Sequence, residues 1–312
     1  MNYSINETQL QVLLSKMEKD FIKSYKTRRI LYDFFRKEEN KKADRLIDCS
    51  RIVTSYQSIE GKAMLTNRCK IRFCPTCEKI NAIQRYININ NILNKVNFNN
   101  NEYIVYHYIF TCRNTTEDKL KKHISGLNKA VTSFYRHYKI KDYTRRMEVT
   151  YNTSNDTYHP HIHSISIIPI NSFLNCKEKQ KEDFINKLNV IRKTWHEHLL
   201  KADVEDNSIE YNLVYARPLK NIKDILECVK YSVKPSSIKS GNVENFVNNL
   251  KGLKLFSGSG IFRKLKENEE NESSINIIEN AIYQTTYYRD NTTGKYKIIR
   301  YSDRTKNVFP EQ

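Results

Sequence analysis

The sequence predicts an α+β fold, a central antiparallel sheet with helices packed on it. Three observations carry that reading. Segments of two-residue and 3.6-residue periodicity follow one another between residues 103 and 233, in the order strand, helix, strand, strand, helix, strand, helix. The two adjacent strands are joined by a turn-rich connector, NTSNDTY, which makes them a hairpin and the sheet antiparallel. A helical, cysteine-bearing stretch precedes this block and a polar tail follows it, so three regions are expected: 1–100, 101–266 and 267–312.

Each element has its own signal. Residues 1–48 read as helical, because Leu10, Leu13, Leu14, Met17 and Phe21 fall three and four apart and Ile30, Leu31, Phe34 and Phe35 continue the stripe. Residues 49–77 are less periodic and hold a group of cysteines; 78–95 return to helix, and Asn-rich sequence at 97–101 breaks it. YIVYHYIFTC at 103–112 is aromatic and β-branched, as strands are. From 117 to 138, Leu120, Ile124, Leu127 and Val131 share one side of a helix. Strands are expected at 146–152 and 161–169, a helix at 177–200, a strand at 209–217 and a helix at 222–233, with the helices on one face of the sheet. Beyond Pro235 the chain turns polar: ENEENESS at 267–274 reads as a solvated linker, and 281–301 as a hairpin turned at Asn291 to Gly294.

The chain has 312 residues, enough for two domains with a real core. Lys and Arg number 53 against 35 Asp and Glu, a net charge of +18. Such an excess attracts phosphates and releases their counterions, so a nucleic acid is the expected partner, although charge alone also suits a ribosome-associated protein. No apolar run approaches the ~20 residues of a membrane span. The polar N-terminus shows no signal-peptide core, and a cytoplasmic location without a membrane partner is expected. In a reducing compartment, grouped cysteines more often bind metal than pair with one another.

The sharpest local signal is Tyr158-His159-Pro160-His161-Ile162-His163. Alternate residues of a strand share a face, so His161 and His163 project together and can bind a divalent ion. His159 has the same parity, but Pro160 places it at the strand's entry. A third ligand is expected from the neighbouring strand, and Glu148 is the candidate. A carboxylate beside two imidazoles suits Mn²⁺ or Mg²⁺, with zinc still open.

A second constellation lies in Glu227-Cys228-Val229-Lys230-Tyr231. On the expected helix a spacing of four puts Glu227 and Tyr231 on one side. A phenol can attack a phosphodiester, and a neighbouring carboxylate can activate that phenol or a later water. Lys230 and Lys234 flank the pair and could hold phosphates. Alone, an i,i+4 Glu–Tyr pair is more often an ordinary helix face.

Together these residues resemble the rolling-circle replication initiators of small Gram-positive plasmids, within the HUH endonuclease superfamily. Ile109-Phe110-Thr111-Cys112-Arg113-Asn114 resembles the family's first motif. Glu148-Val149-Thr150-Tyr151-Asn152 followed by His159-Pro160-His161-Ile162-His163 resembles its metal motif. Glu227-Cys228-Val229-Lys230-Tyr231 is similar to the nucleophile motif Glu-x-x-Lys-Tyr, and Leu250-Lys251-Gly252 with Ser257-Gly258-Ser259-Gly260 resembles a Gly-containing block after it. The resemblance spans about 49–266, departs at Cys112, and offers no counterpart for the tail. It implies the HUH nuclease fold and a metal held by His161 and His163. It implies a covalent 5′-phosphotyrosine at Tyr231 and a water-directing Glu227 that replaces a second tyrosine. The expected partner is plasmid origin DNA, single-stranded or as a hairpin, contacted by Lys230, Lys234 and Arg113, with host helicase and polymerase following and room for a homodimer.

Cys69-x4-Cys74-Pro75-Thr76-Cys77 has the look of a zinc knuckle, with Cys49 as fourth ligand. The family shows similar cysteines upstream of its nuclease motifs. Cys112, Cys176 and Cys228 read as small buried residues. Two other readings stay open: a relaxase or single-strand transposase of the same superfamily, and a non-catalytic, zinc-dependent nucleic-acid-binding regulator.

Overall fold

The computed structural model describes residues 7–38, 40–59, 61–95, 102–175, 181–204, 214–219, 222–230, 232–264 and 278–303. The fold is α+β, with two antiparallel sheets. The chain divides into two compact units: Met1–Glu78 with Asn268–Gln312, and Lys79–Glu267.

Unit 1 opens with helices α1 (Glu7–Lys37) and α2 (Lys42–Asp48). The stripe at Leu10, Leu13, Leu14, Met17 and Phe21 falls on side chains outside the described set. Its continuation is visible: Leu31 and Phe35, one turn apart, are buried with Ala43 and Leu46 of α2. The aperiodic stretch after α2 forms two strands, β1 (Ile52–Ser58) and β2 (Gly61–Thr66), and then the first turn of helix α3 (Pro75–Lys95). The C-terminal hairpin is present as β8 (Tyr283–Arg289) and β9 (Tyr296–Asp303). Asp290 closes its turn by accepting the Thr292 and Thr293 amides at 2.8 and 2.7 Å, and Gly294 takes φ 74°. The hairpin does not stand apart: β8 pairs antiparallel with β1, giving a four-stranded sheet in the order β2-β1-β8-β9.

Unit 2 holds a five-stranded sheet, order β6-β3-β5-β4-β7, from β3 (Tyr103–Thr111), β4 (Tyr143–Asn152), β5 (Thr157–Pro169), β6 (Val214–Pro218) and β7 (Phe256–Ser259). Helices α4 (Glu117–His137) and α5 (Lys181–Lys201) cover one face. There Phe110 packs on Phe134, Tyr135 and Trp195, and the Tyr135 hydroxyl donates to Ser164 Oγ at 2.8 Å. Leu120, Ile124, Leu127 and Val131 of α4 are fully buried, each worth about 1.5–3 kcal/mol of transfer free energy. The opposite face is covered too: Ile165 and Ile167 pack with Ile89 and Leu93 of α3, Ile225 and Val229 of α6 (Ile222–Val229), and Phe262. Helices thus lie on both faces, where the strand order alone pointed to one.

Three local differences matter for the site. First, β5 begins at Thr157, so His159 and Pro160 lie inside the strand. Proline is tolerated because its partner Val149 gives its amide to Ser232 O at 2.9 Å, on the side away from β5. The Val149–Pro160 pair therefore asks no ladder bond of the proline nitrogen. Second, the helix expected at 222–233 stops at Val229. Its continuation is taken up by β4 instead: Ser232 O accepts that Val149 amide, and Val233 forms a parallel bridge with Val149. Third, a short helix α7 (Val243–Asn249) leads into β7, which closes the sheet beside β4. A Cβ on Gly258 would overlap the Phe262 carbonyl, and one on Gly260, at φ +58°, would overlap Asp142. The Gly-containing block thus has a steric reason.

Candidate functional site

Strand register builds the site. On β5 and β4, His161 sits opposite Glu148 and His163 opposite Arg146, so imidazoles and carboxylate share the face packed by α3 and α6. His161 Nε2 lies 3.7 Å and His163 Nε2 3.4 Å from Glu148 Oε2. Donor atoms of these three residues all fall within 4.8 Å of one another. Two donors bound to one divalent ion at ~2.1 Å stand roughly 3–3.5 Å apart, so this nitrogen–nitrogen–oxygen set fits a metal with little movement. His159 shares the face, its ring stacked on His161 at 5.2 Å between centroids, one step out from the three converging donors.

The electrostatics suit ligation. Burial alone would raise the Glu148 pKa, but hydrogen bonds and charge from His161 and His163 outweigh it and hold the carboxyl below its usual range. Burial pushes His163 below the ordinary imidazole value, partly offset by Glu148. His159 is lowered by burial and by the charge of His161. Lys234 Nζ approaches Glu148 Oε1 at 3.3 Å, carried there by the Val149–Val233 bridge one residue earlier.

A cleft of about 310 Å³ opens on the site, lined by Glu148, His161, His163, Glu227, Lys230 and Lys234. Glu227, in the last turn of α6, is exposed and ion-paired with Lys230. Tyr231 lies outside the described residues, and with α6 ending at Val229 the helical spacing expected between Glu227 and Tyr231 is not part of the described helix. Arg113 is exposed just beyond β3. Cys112 and Cys228 are each 4% exposed, as small buried residues should be, while Cys176 lies outside the described residues.

Sequence reasoning missed His107. It is 2% exposed on β3, and its Nε2 lies 3.1 Å from His163 Nδ1, while its own Nδ1 accepts from Arg217 Nε of β6 at 3.3 Å. It shares strand parity with Ile109 and Thr111, which pair with His163 and His161. That parity was the available signal, but the pairing partner was not known. Such a neighbour fixes ring orientation of a ligating histidine.

In unit 1, Cys49, Cys69, Cys74 and Cys77 bring their sulfurs within 4.8 Å of one another, all buried. Cys49 and Cys69 stand 3.5 Å from Cys77, and Cys74 stands 3.7 Å from Cys49. Four sulfurs around one ion at ~2.3 Å would be roughly 3.8 Å apart, so the group fits a tetrathiolate metal. The Ile71 amide donates to Cys69 Sγ at 3.4 Å. Cys77 is held toward thiolate by hydrogen bonds from Cys49, Cys69 and Cys74. Arg28 donates to Leu46 O at 2.8 Å and Cys49 O at 3.0 Å, and Arg289 to Cys49 O at 3.2 Å. Two buried guanidiniums suit the net negative charge of four thiolates on a divalent ion.

Among the described residues, no helix is long and apolar enough to cross a membrane. A family model described as replication protein, Rep_1, matches residues 60–308. That match runs through the C-terminal hairpin, so the tail has a family counterpart that the motifs alone did not reveal. The chain is 27% identical over 220 residues to a "Protein rep" from Bacillus sp., covering 65% of this chain and 69% of that one. It is 24% identical over 220 residues to a "Protein rep" from Bacillus amyloliquefaciens, covering 65% of this chain and 62% of that one. With a "Protein rep" from Streptococcus pneumoniae it shares 21% identity over 327 residues, covering 97% of this chain and 96% of its relative. No solved structure matches.

Proposed function

The chain belongs to the Rep_1 replication-protein family, and from that premise we propose that it initiates rolling-circle replication of a small plasmid by nicking one strand of the origin through Tyr231. The observation that carries this reading is the convergence of Glu148, His161 and His163 in a cleft that also holds Glu227, Lys230 and Lys234. Glu148, His161 and His163 would hold a divalent ion, which would supply Lewis-acid polarisation of the scissile phosphate.

The chain's own residues do the rest. Lys230 and Lys234 neutralise phosphate oxygens and hold the strand. The Tyr231 oxygen attacks phosphorus, its proton passing to a base or solvent, as the phosphorus–O3′ bond breaks. The 3′ oxygen leaves with the bonding pair and is protonated, giving a free 3′-OH for host polymerase and helicase, while the 5′ phosphate stays esterified to Tyr231. In the terminating step Glu227 takes the proton from water as the water oxygen attacks the phosphorus of the regenerated origin. The phosphorus–O3′ bond breaks and leaves a protonated 3′-OH. When that 3′-OH attacks the phosphotyrosine, the phosphorus–Tyr231 oxygen bond breaks and the phenol leaves protonated. The family match favours a replication initiator over a relaxase or transposase, and a non-catalytic regulator would leave the converging donors of the cleft without use.

Incubating the protein with supercoiled plasmid carrying its origin, with Mn²⁺ or Mg²⁺, tests this directly. Conversion to the nicked form with a protein–DNA adduct is expected; intact supercoiled DNA with both ions would overturn the reading.

Glu227→Ala is expected to leave the first nick and adduct intact and to slow the terminating step by about 10²–10⁴-fold, the usual cost of losing a general base. Over-length single-stranded product should then accumulate on a gel. Clean termination would leave Glu227 as a helix-face residue, and loss of the first nick would assign it to activating Tyr231.

The cysteine cluster is proposed to hold a structural Zn²⁺. Elemental analysis should find one zinc per chain. Cys74→Ser or Cys77→Ser should release it and lower the melting temperature of unit 1, because metal binding there is folding free energy. Purified protein with negligible zinc would contradict the assignment.

A further inference from the structure

The four-stranded sheet of unit 1 has two unlike faces. Val53, Tyr287 and Arg289 point inward and are buried. That side is tied to the cysteine cluster: Arg289 donates to Cys49 O, and the Tyr296 hydroxyl donates to Ser50 O at 2.6 Å. Strand alternation sends Ile52, Tyr56, Leu65, Tyr288 and Lys297 to the other face, and a register shift opposite Thr286/Tyr287, which pairs Arg300 with Thr286, brings Arg300 to the same face. Ile52 is 42% and Leu65 37% exposed, Lys297 and Arg300 are exposed, and the two tyrosines are half-buried. The Arg51 guanidinium lies over the Tyr288 ring at 4.7 Å, with Asp48 bound to it at 2.9 Å. Among the described strand residues, this outer face presents no carboxylate.

We propose that this outer face is a second nucleic-acid site, a platform that binds single-stranded DNA independently of the metal cleft. It rests on the replication reading only for the identity of the polyanion. The chemistry is cationic and aromatic together: Lys297 and Arg300 meet phosphates, while bases stack on Tyr56 and on the Arg51–Tyr288 pair. The width of the sheet selects the single strand. Four strands ~4.8 Å apart span roughly 14 Å before side chains are added, more than the ~12 Å major groove that admits a two-stranded ribbon. Splayed bases of a single strand can lie flat across such a face, as they do on other aromatic-bearing sheets. The platform also gives the C-terminal hairpin a role, since β8 and β9 supply Tyr288, Lys297 and Arg300.

Fluorescence anisotropy with the full chain tests this. The probes are a labelled oligothymidylate longer than a site of ~4–16 nucleotides and a duplex of equal length. Lys297→Glu with Arg300→Glu is expected to weaken oligothymidylate binding at least about tenfold and to flatten the salt slope by about 1.4, or ~0.7 per lost contact. Tyr56→Ala should weaken it about 5- to 150-fold, the range of a lost stack, while Tyr56→Phe binds like the parent. Lys193→Glu with Lys201→Glu on α5, an equal charge change at two exposed positions in unit 2, should leave binding unaltered. An equal loss with Lys193→Glu and Lys201→Glu, or an equal loss of duplex binding with Lys297→Glu and Arg300→Glu, would overturn the platform. His161→Ala with His163→Ala should abolish cleavage while oligothymidylate binding persists. Nicking without platform binding would overturn only the platform, and platform binding without nicking in the parent chain would overturn only the cleavage reading.

Discussion

Tyr231→Phe is expected to abolish both nicking and the covalent protein–DNA adduct, a loss on the order of 10⁴-fold or more, while origin binding stays within a few fold. The change removes one oxygen and almost no volume, so the cleft keeps its shape and its charged lining of Lys230, Lys234 and Glu148. Denaturing gels with end-labelled origin strand read the adduct, and gel shift reads binding. An adduct that persists in the Phe variant would put the nucleophile on another tyrosine, which peptide mapping of the linked DNA would identify. Tyr287 is a poor substitute, being 4% exposed in unit 1.

The second large effect is expected at the histidines. His161→Ala and His163→Ala should each slow metal-dependent nicking on the order of 10²- to 10³-fold, the several kcal/mol that Lewis-acid stabilisation supplies. Each leaves two of the three donors, so excess Mn²⁺ should restore part of the rate; the double substitution should not be rescued. Metal affinity, measured by Mn²⁺ titration without DNA, should fall in parallel. Glu148→Ala carries an added consequence, because Lys234 loses the carboxylate it approaches at 3.3 Å. Nicking that survives in both histidine variants would remove the metal assignment altogether.

Much of this site was legible because it depends on strand parity and local spacing. His161 and His163 two apart on a β-branched strand must share a face, and a turn-rich connector before them makes Glu148's strand the neighbour. The four cysteines were legible from clustering in a short window, and the hairpin at β8 and β9 from its turn residues. Strands β1 and β2 were not: their alternation is short, and cysteines and charges interrupt its surroundings. The end of α6 was missed for a different reason. Local propensity through Val233 is helical, but Val149 needs an acceptor for its amide, and Ser232 supplies it. A backbone hydrogen bond formed across more than eighty residues outweighs a helical preference of a few tenths of a kcal/mol.

Local pattern in the chain was enough for the α+β class, the shared face of His161 and His163, the carboxylate beside them and the grouping of Cys49, Cys69, Cys74 and Cys77, because periodicity and spacing are local properties. Long-range folding was needed to place helices on both faces of the large sheet, to bring His107 against His163 and Lys234 against Glu148, and to join the N-terminal strands and the C-terminal hairpin in one sheet. Those outcomes depend on which distant backbone edges pair, and pairing is settled by the burial and hydrogen bonding of whole strands, which no short window of sequence contains.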